Sequence, residues 1–332
     1  MRTDPLERVQ GHSEGCALLR SMLLRGRVPN GILITGPVGC GRRTLALAFA
    51  EALLFGDAQG LVDAAEQGVR RLRQGAHPDL VLVEREGAKR QLGIDSVRAL
   101  RSEFGMKPLE ASRRVGLVVD ADRLTEEAGN ALLKLLEEPP AGSHLVLTAP
   151  GQGALMETLL SRCVRVRLGP VDSATVLQFL ARAGVTGPTA ALCTLAAEGA
   201  PGRALELAQS GFVEQLPAAA KLLQCEAAPF TTALALHAAL EEDKKQLEET
   251  RERVRQLLRA ALFLLRLRRR ALEGLPWPVE LSPELALESI DATSADRRSG
   301  QLLQALQLID TNVAPPQVLT HFAMAAKVRS QP

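Results

Sequence analysis

The sequence predicts an α/β domain with a parallel β-sheet and flanking helices, then a small three-helix domain and an all-α C-terminal domain. Short aliphatic runs alternate with helical segments up to residue 169, strand signals vanish from Pro170 onward, and Ser210-Gly211 interrupts the helical remainder. Strands that alternate with helices are typical of a parallel sheet covered on both faces. We therefore expect domains at 1–169, 170–210 and 211–332.

Composition excludes several classes of protein. The 332 residues are 46% hydrophobic and 23% charged, which indicates a globular chain that is neither disordered nor a coiled-coil rod. A net charge of +2 and only 3% aromatic residues argue against a dedicated nucleic-acid binder. The five cysteines form no C-x-x-C pair, and no apolar stretch suits export or membrane insertion, so we expect a cytoplasmic protein without a disulfide framework.

The α/β region contains five short aliphatic runs that predict strands. The first, GILIT, ends at a glycine-rich turn that a helix over 45–54 follows. The predicted strands are residues 31–35, 80–83, 115–119, 145–147 and 164–168.

Helical patterns dominate after Pro170. The predicted helices cover 174–183, 189–198, 202–208, a long amphipathic segment at 241–272 and segments after 294 that surround the NVAPP string at 312–316. The arginines at 251–259 are compatible with a DNA-binding stripe, but i,i+4 pairs of opposite charge favour an ordinary solvated surface.

A glycine-rich loop follows the first predicted strand and opens a helix, which is the setting of a Walker A phosphate loop. A working loop needs a Lys for the phosphates and then a Ser or Thr for Mg²⁺, but Arg42 and Arg43 stand there, and Arg43 has only donors. Thr44 is out of frame with the glycines. We expect the loop to connect strand to helix, with its arginines exposed or folded into the phosphate space. Its residues are Gly36, Gly39, Gly41, Arg42, Arg43 and Thr44.

The strand at 115–119 is followed by Asp120, as in a Walker B motif, and then by Ala121. ATPases of this architecture place a Glu after the Asp, and Ala can neither accept a proton nor align water. Asp122 is expected on the other side of an extended segment. Both elements therefore predict a degenerate nucleotide site.

Five strings together resemble the bacterial clamp-loader subunits of the AAA+ class, over roughly residues 8–210. Within that class the ATP-hydrolysing tau/gamma type keeps Lys-Thr or Lys-Ser and an Asp-Glu pair, so the degenerate motifs resemble the delta-prime type of DNA polymerase III. The strings are GPVGCGRRT at 36–44, HPD at 77–79, DADRLTEEAGNALLKLLEEPP at 120–140, SRC at 161–163 and GAPGRAL at 199–205.

The resemblance implies an AAA+ domain, a lid domain and an oligomeric collar. It also implies a non-hydrolysing stator in a hetero-pentameric ring with tau/gamma and delta subunits, which loads the sliding clamp onto primed DNA. Such a chain has no catalysis of its own but belongs to a DNA-directed DNA polymerase, a nucleotidyltransferase. An active tau/gamma-like ATPase and a stand-alone AAA+ regulator are the alternatives.

The resemblance also assigns roles to single residues. Arg162 of the SRC string would be an arginine finger for the ATP site of the neighbouring subunit, although an arginine there is by itself usually solvated or in a modest salt bridge. Of the residues that flank it, Ser161 is expected to be a helix cap or a positioning group, and Cys163 a small buried residue and not a nucleophile. Thr148 and Arg203 stand where the two sensors of such ATPases lie.

DNA contact and zinc are the remaining expectations. Arg98 and Arg101 follow Asp95, a candidate helix cap, on a helix that faces the DNA chamber in related assemblies, but two solvated arginines are an equal interpretation. The family often carries a four-cysteine zinc module, whereas residues 54–77 contain no cysteine. We therefore expect neither zinc nor Mg·ATP as a cofactor.

Overall fold

The computed structural model describes residues 2–57, 59–63, 66–85, 91–151, 153, 155–224, 244–278, 281–282, 285–309, 313 and 317–318. The chain forms two compact units, one of Met1–Phe179 with Glu198–Arg203 and one of Leu180–Ala197 with Ala204–Pro332. This division passes through the predicted small helical domain, and the three-domain organisation stays a prediction.

A five-stranded, entirely parallel sheet forms the centre of the first unit, as the sequence predicted. A separate pair of short antiparallel strands, β1 (Arg2–Thr3) and β3 (Val62–Asp63), was not predicted. The order across the main sheet is β4 (Leu80–Val83), β5 (Arg114–Val118), β6 (Ser143–Ala149), β2 (Gly31–Thr35) and β7 (Val164–Arg167).

Helices cover both faces of this sheet. Successive side chains of a strand point to opposite faces, so Ile32 and Ile34 join one buried cluster while Leu33 joins the other. The first cluster includes Phe49 and the second includes Leu132. The helices are α1 (Ser13–Leu24), α2 (Arg42–Phe55), α3 (Gln67–Arg73), α4 (Ile94–Phe104), α5 (Glu126–Glu137), α6 (Glu157–Leu160) and α7 (Ser173–Arg182).

Local sequence explains the bounds of α5. Thr125 precedes the helix, and its hydroxyl oxygen accepts a hydrogen bond from the amide of Ala128 at 3.3 Å. Glu126 and Glu127 lie in the first turn, where the helix dipole favours negative charge. The helix ends at Glu137 because the prolines at 139 and 140 do not continue it.

Asp79 belongs to the HPD string, and its carboxylate stabilises the loop that precedes β5. It accepts hydrogen bonds from the amides of Leu109, Glu110 and Ala111 at 2.7, 2.8 and 2.8 Å and forms a fully buried ion pair with Arg114 at 3.1 Å. Burial alone would raise its pKa, but these donors together hold the pKa at about 2.

The second unit is helical in the part that the structure describes. Along the long helix, Val254, Leu258, Ala261 and Leu265 are buried at helical spacing. Its predicted start, Glu241, and all of the 312–316 string except Val313 lie outside the described residues. The helices are α8 (Gly187–Ala197), α9 (Pro201–Gln209), α10 (Leu216–Gln224), α11 (Lys244–Leu272) and α12 (Ala292–Ile309), and the first turn of α9, up to Arg203, belongs to the first unit.

Several arginines of α11 form ion pairs, which supports the prediction of an ordinary charged surface. Arg259 pairs with Glu206 at 3.1 Å, and Arg269 pairs with Glu273 and Asp296 at 3.2 and 3.1 Å. Over the described residues, no helix combines the length and the apolar character that crossing a membrane requires.

Candidate functional site

The carboxyl ends of β2, β5 and β6 meet at one edge of the sheet, where parallel sheets place their ligand sites. The phosphate loop leaves β2, Asp120 follows β5 and Thr148 lies near the end of β6. The amide of Asp120 donates a hydrogen bond to the Thr148 hydroxyl oxygen at 3.0 Å. Asp120 has a φ of 56°, a left-handed conformation that Asp adopts more readily than most residues. The turn therefore aims its carboxylate at the loop.

Arg42 fills the centre of this edge. Its side chain is 9% exposed, and its two terminal nitrogens donate to the Gly36 carbonyl at 2.5 Å and to Asp120 Oδ1 at 3.1 Å. Of the two arrangements expected for the loop arginines, Arg42 takes the one folded back onto the loop.

Arg43 takes the exposed arrangement and forms an ion pair with Glu84 at 2.9 Å. Arg85 lies 3.6 Å from the second carboxylate oxygen of Asp120, so two guanidinium groups share that carboxylate. Sequence reasoning missed Glu84 and Arg85. The signal was their position directly after β4, at the same edge of the sheet.

The residues at this edge do not fit a magnesium-bound nucleotide. Mg²⁺ requires oxygen ligands, but Asp120 Oδ1 already binds Arg42, and Arg43 and Ala121 have no side-chain oxygen. Ala121 starts a 3-10 turn over Ala121–Arg123, so the predicted extended segment that would carry Asp122 is wrong. Among the described residues, no cluster of His, Cys, Asp or Glu is arranged to hold a metal such as zinc.

The phosphate loop contacts the start of α9. The amide of Gly202 donates to the Gly39 carbonyl at 2.8 Å, and a Cβ on Gly39 would lie 2.5 Å from the backbone nitrogen of Arg203. Arg203 is half-buried in the first turn of α9. Gly39 and Gly41 have φ angles of 83° and 103°, a region that favours glycine. The sequence thus places glycine where the chain turns left-handed and where a helix approaches closely.

Two other side chains, Thr44 and His12, lie next to the phosphate loop. Thr44 is exposed in the first turn of α2. His12, which the sequence did not single out, is buried, and its ring Nε2 lies 2.8 Å from the Cys40 carbonyl oxygen, to which it donates. This hydrogen bond joins the segment before α1 to the phosphate loop.

Arg162 lies apart from this edge, in the turn between α6 and β7. Its side chain is 37% exposed and forms an ion pair with Glu137 at 2.5 Å. Ser161 ends α6, and its hydroxyl donates to the Thr158 carbonyl at 3.0 Å. Burial raises the pKa of the Cys163 thiol to about 11, so Cys163 is not a thiolate nucleophile at neutral pH.

The DNA candidates Arg98 and Arg101 are both exposed on α4. Gly93 precedes this helix, so Asp95 is not its cap, and the prediction of capping is wrong. Asp95 lies in the first turn and pairs with Arg98 at 3.4 Å. Its carboxylate reduces the positive charge that α4 presents.

The sheet order, the phosphate loop and the Asp120–Thr148 contact define a P-loop domain of the AAA+ class. A DNA polymerase III gamma subunit-related protein from Thermotoga maritima has the same fold, with a TM-score of 0.53 over 93% of this chain and 98% of that protein, at 18% identity.

Within the AAA+ class, sequence comparison shows which proteins this chain is similar to. Residues 11–172 match the family described as "DNA polymerase III, delta subunit". The chain is 34% identical to DNA polymerase III subunit delta' of Escherichia coli over 186 residues, which are 55% of this chain and 56% of that protein. It is 28% identical to subunit tau/gamma of Haemophilus influenzae over 52% of this chain and 25% of that protein. The matched region spans about half the length of its delta' relative, and over this region the chain is similar to the delta' subunits of DNA polymerase III.

Proposed function

We propose that this chain is a non-hydrolysing subunit of a DNA polymerase III clamp loader that supplies an arginine finger, Arg162, to the ATP site of a neighbouring subunit. The observation that carries the proposal is the Arg42–Asp120 ion pair. It puts a guanidinium on the carboxylate that binds the metal in working ATPases of this fold, while Arg162 remains exposed on a separate turn.

The absence of intrinsic hydrolysis follows from charge and geometry. Arg42 already neutralises Asp120, so a bound Mg²⁺ would have to break a partly buried ion pair before it gained a ligand. Ala121 cannot orient water, and Arg43 turns away toward Glu84. Neither ATP, Mg²⁺ nor zinc is a cofactor of this chain in the proposal.

Action in trans follows from the position of Arg162. Its guanidinium contacts α5 and α6 of its own chain, not the Asp120 edge of the sheet. An arginine finger supplied in trans raises phosphoryl-transfer rates by about 10³ to 10⁵. A chain that cannot hydrolyse ATP therefore still contributes to hydrolysis in its neighbour.

The partners are tau/gamma and delta subunits in a five-membered ring that loads the sliding clamp onto primed DNA. The C-terminal helices would form the collar of that ring. Leu272 on α11 and Leu303 on α12 are 42% and 49% exposed, and they are apolar side chains available to such a contact. The exposed Arg98 and Arg101 are the candidates for contact with DNA in the assembled ring.

The test is Arg162→Ala in the complete chain, reconstituted with tau/gamma and delta subunits. Ring assembly should persist, while DNA-stimulated ATP turnover and clamp loading fall. The loss of turnover should be partial, because other sites keep their own fingers. Arg162→Lys should rescue poorly, since an ammonium cannot reproduce the guanidinium fork.

Unchanged turnover and loading in a verified Arg162→Ala ring would exclude the trans-acting role. ATP turnover by the isolated chain would instead identify an active ATPase subunit. Failure of the wild-type chain to join its partners would identify a stand-alone regulator.

A further inference from the structure

Arg162 is occupied by acceptors of its own chain. One terminal nitrogen lies 2.5 Å from Glu137 Oε1, and the other donates to the Thr158 carbonyl at 3.1 Å and to the Ser161 hydroxyl oxygen at 3.3 Å. Arginine uses these same terminal nitrogens when it binds phosphate oxygens in a fork. In this arrangement the guanidinium is therefore not available to a second phosphate-bearing site.

Glu137 is the one charged group among these three acceptors. Its carboxylate sits at the end of α5 and cancels much of the field that Arg162 presents outward. The two side chains are 37% and 47% exposed, and exposed ion pairs are weak. A nucleotide phosphate with more negative charge than one carboxylate can therefore displace Glu137.

We propose that Glu137 binds Arg162 when no nucleotide is within its reach and competes for it with the terminal phosphate of ATP in the neighbouring subunit. We call the Arg162–Glu137 ion pair the reserve contact. The inference rests on the proposed function and adds a regulatory contact to it. Arg162 exchanges between its own Glu137 and the neighbour's nucleotide. The apparent affinity for that nucleotide is therefore lower when a larger fraction of Arg162 side chains is bound to Glu137. Glu137 is thus a positioning residue that sets the ATP concentration at which the neighbour becomes active.

Glu137→Gln separates this competition from simple support of the turn. Glutamine keeps the size of the side chain and an oxygen acceptor for Arg162, and only the charge is lost. The adjacent Glu138 is also exposed and provides the matched control Glu138→Gln. Each variant is reconstituted with tau/gamma and delta subunits, and ATP turnover is measured against ATP concentration.

Glu137→Gln should lower the KM for ATP at the neighbouring site by up to about fivefold, the range that an exposed ion pair contributes, and leave kcat unchanged. The KM of the whole ring should fall by less, because the other sites keep their own fingers. Glu138→Gln should match the wild type. The effect of Glu137→Gln should disappear when Arg162→Ala is also present, because no finger remains to be released.

A KM that is unchanged or raised in Glu137→Gln would overturn the inference, as would an equal decrease in Glu138→Gln or in the Arg162→Ala background. If Arg162→Ala impairs turnover while Glu137→Gln leaves the KM unchanged, the arginine-finger role is supported and the regulatory role of Glu137 is rejected. If Arg162→Ala has no effect, both the proposed function and the regulatory role of Glu137 are rejected.

Discussion

Asp120 accepts a hydrogen bond from Arg42 across 3.1 Å, so the carboxylate after β5 is paired with a guanidinium from the phosphate loop of the same chain. Arg42 also donates to the Gly36 carbonyl, at the start of the loop. Arg42 thereby joins the loop, the strand end and the helix that it begins. In the proposed function, this contact would hold the loop against the strand end in a subunit that does not hydrolyse ATP.

The first prediction concerns nucleotide binding by the isolated chain. Calorimetric titration with ATP and Mg²⁺ should give no binding, because Arg42 occupies Asp120 and Arg43 offers no ligand. The triple variant Arg42→Lys, Arg43→Thr, Ala121→Glu restores the residue types of a working site and should gain Mg²⁺-dependent binding. Micromolar binding by the wild type that disappears on chelation of Mg²⁺ would contradict this prediction.

Loss of the charge on Asp120 should destabilise the first unit. Asp120→Asn tolerates the left-handed backbone but leaves the largely buried Arg42 without an anion, which should cost about 1–3 kcal/mol in urea unfolding. The matched control is Glu84→Gln, since the Glu84–Arg43 pair is exposed, and its effect should stay within about 0.5 kcal/mol. Equal effects of the two substitutions would show that the Arg42–Asp120 pair contributes no more to the free energy of unfolding than an exposed ion pair does.

Asp79 should make stability depend on pH in the acid range. Its pKa is about 2 in the folded chain and 3.8 in the reference state, so the stability it contributes is present above about pH 4 and is lost as the pH falls toward 2. The depressed pKa corresponds to about 2 kcal/mol. Urea unfolding of the wild type and Asp79→Asn should differ most near neutral pH and converge as the pH approaches 2. A difference that does not change with pH would refute this assignment.

The contact between the phosphate loop and α9 is tested by substituting two glycines. Gly39→Ala and Gly41→Ala both strain a left-handed backbone, but only the Cβ at Gly39 would collide, 2.5 Å from the Arg203 nitrogen. Hydrogen exchange at the Gly202 amide, which donates to the Gly39 carbonyl, should therefore accelerate in Gly39→Ala and much less in Gly41→Ala. The same acceleration in both variants would mean that loop strain, not contact with α9, controls this amide.

Much of the first unit was predictable because its signals are local. Aliphatic runs such as GILIT became strands of the parallel sheet, and the missing Lys, Thr and Glu types pointed to a degenerate site before any geometry was known. Errors arose where local preference competes with tertiary packing. Asp95 is a favourable cap residue, yet the cap of α4 lies two residues earlier, at Gly93, and Asp122 lies in a 3-10 turn instead of an extended segment.

The amino-acid sequence alone determined that Arg43 and Ala121 cannot serve Mg²⁺ or water, because those limits belong to the side chains themselves wherever they lie. Only the tertiary structure decided which acidic side chain pairs with which arginine. Arg42 and Asp120 are 78 positions apart, and Glu137 meets Arg162 through two helix ends that no sequence spacing relates. Ion pairs act over a few ångströms, so they are set by the folding of the sheet and its helices, which brings distant residues within that range.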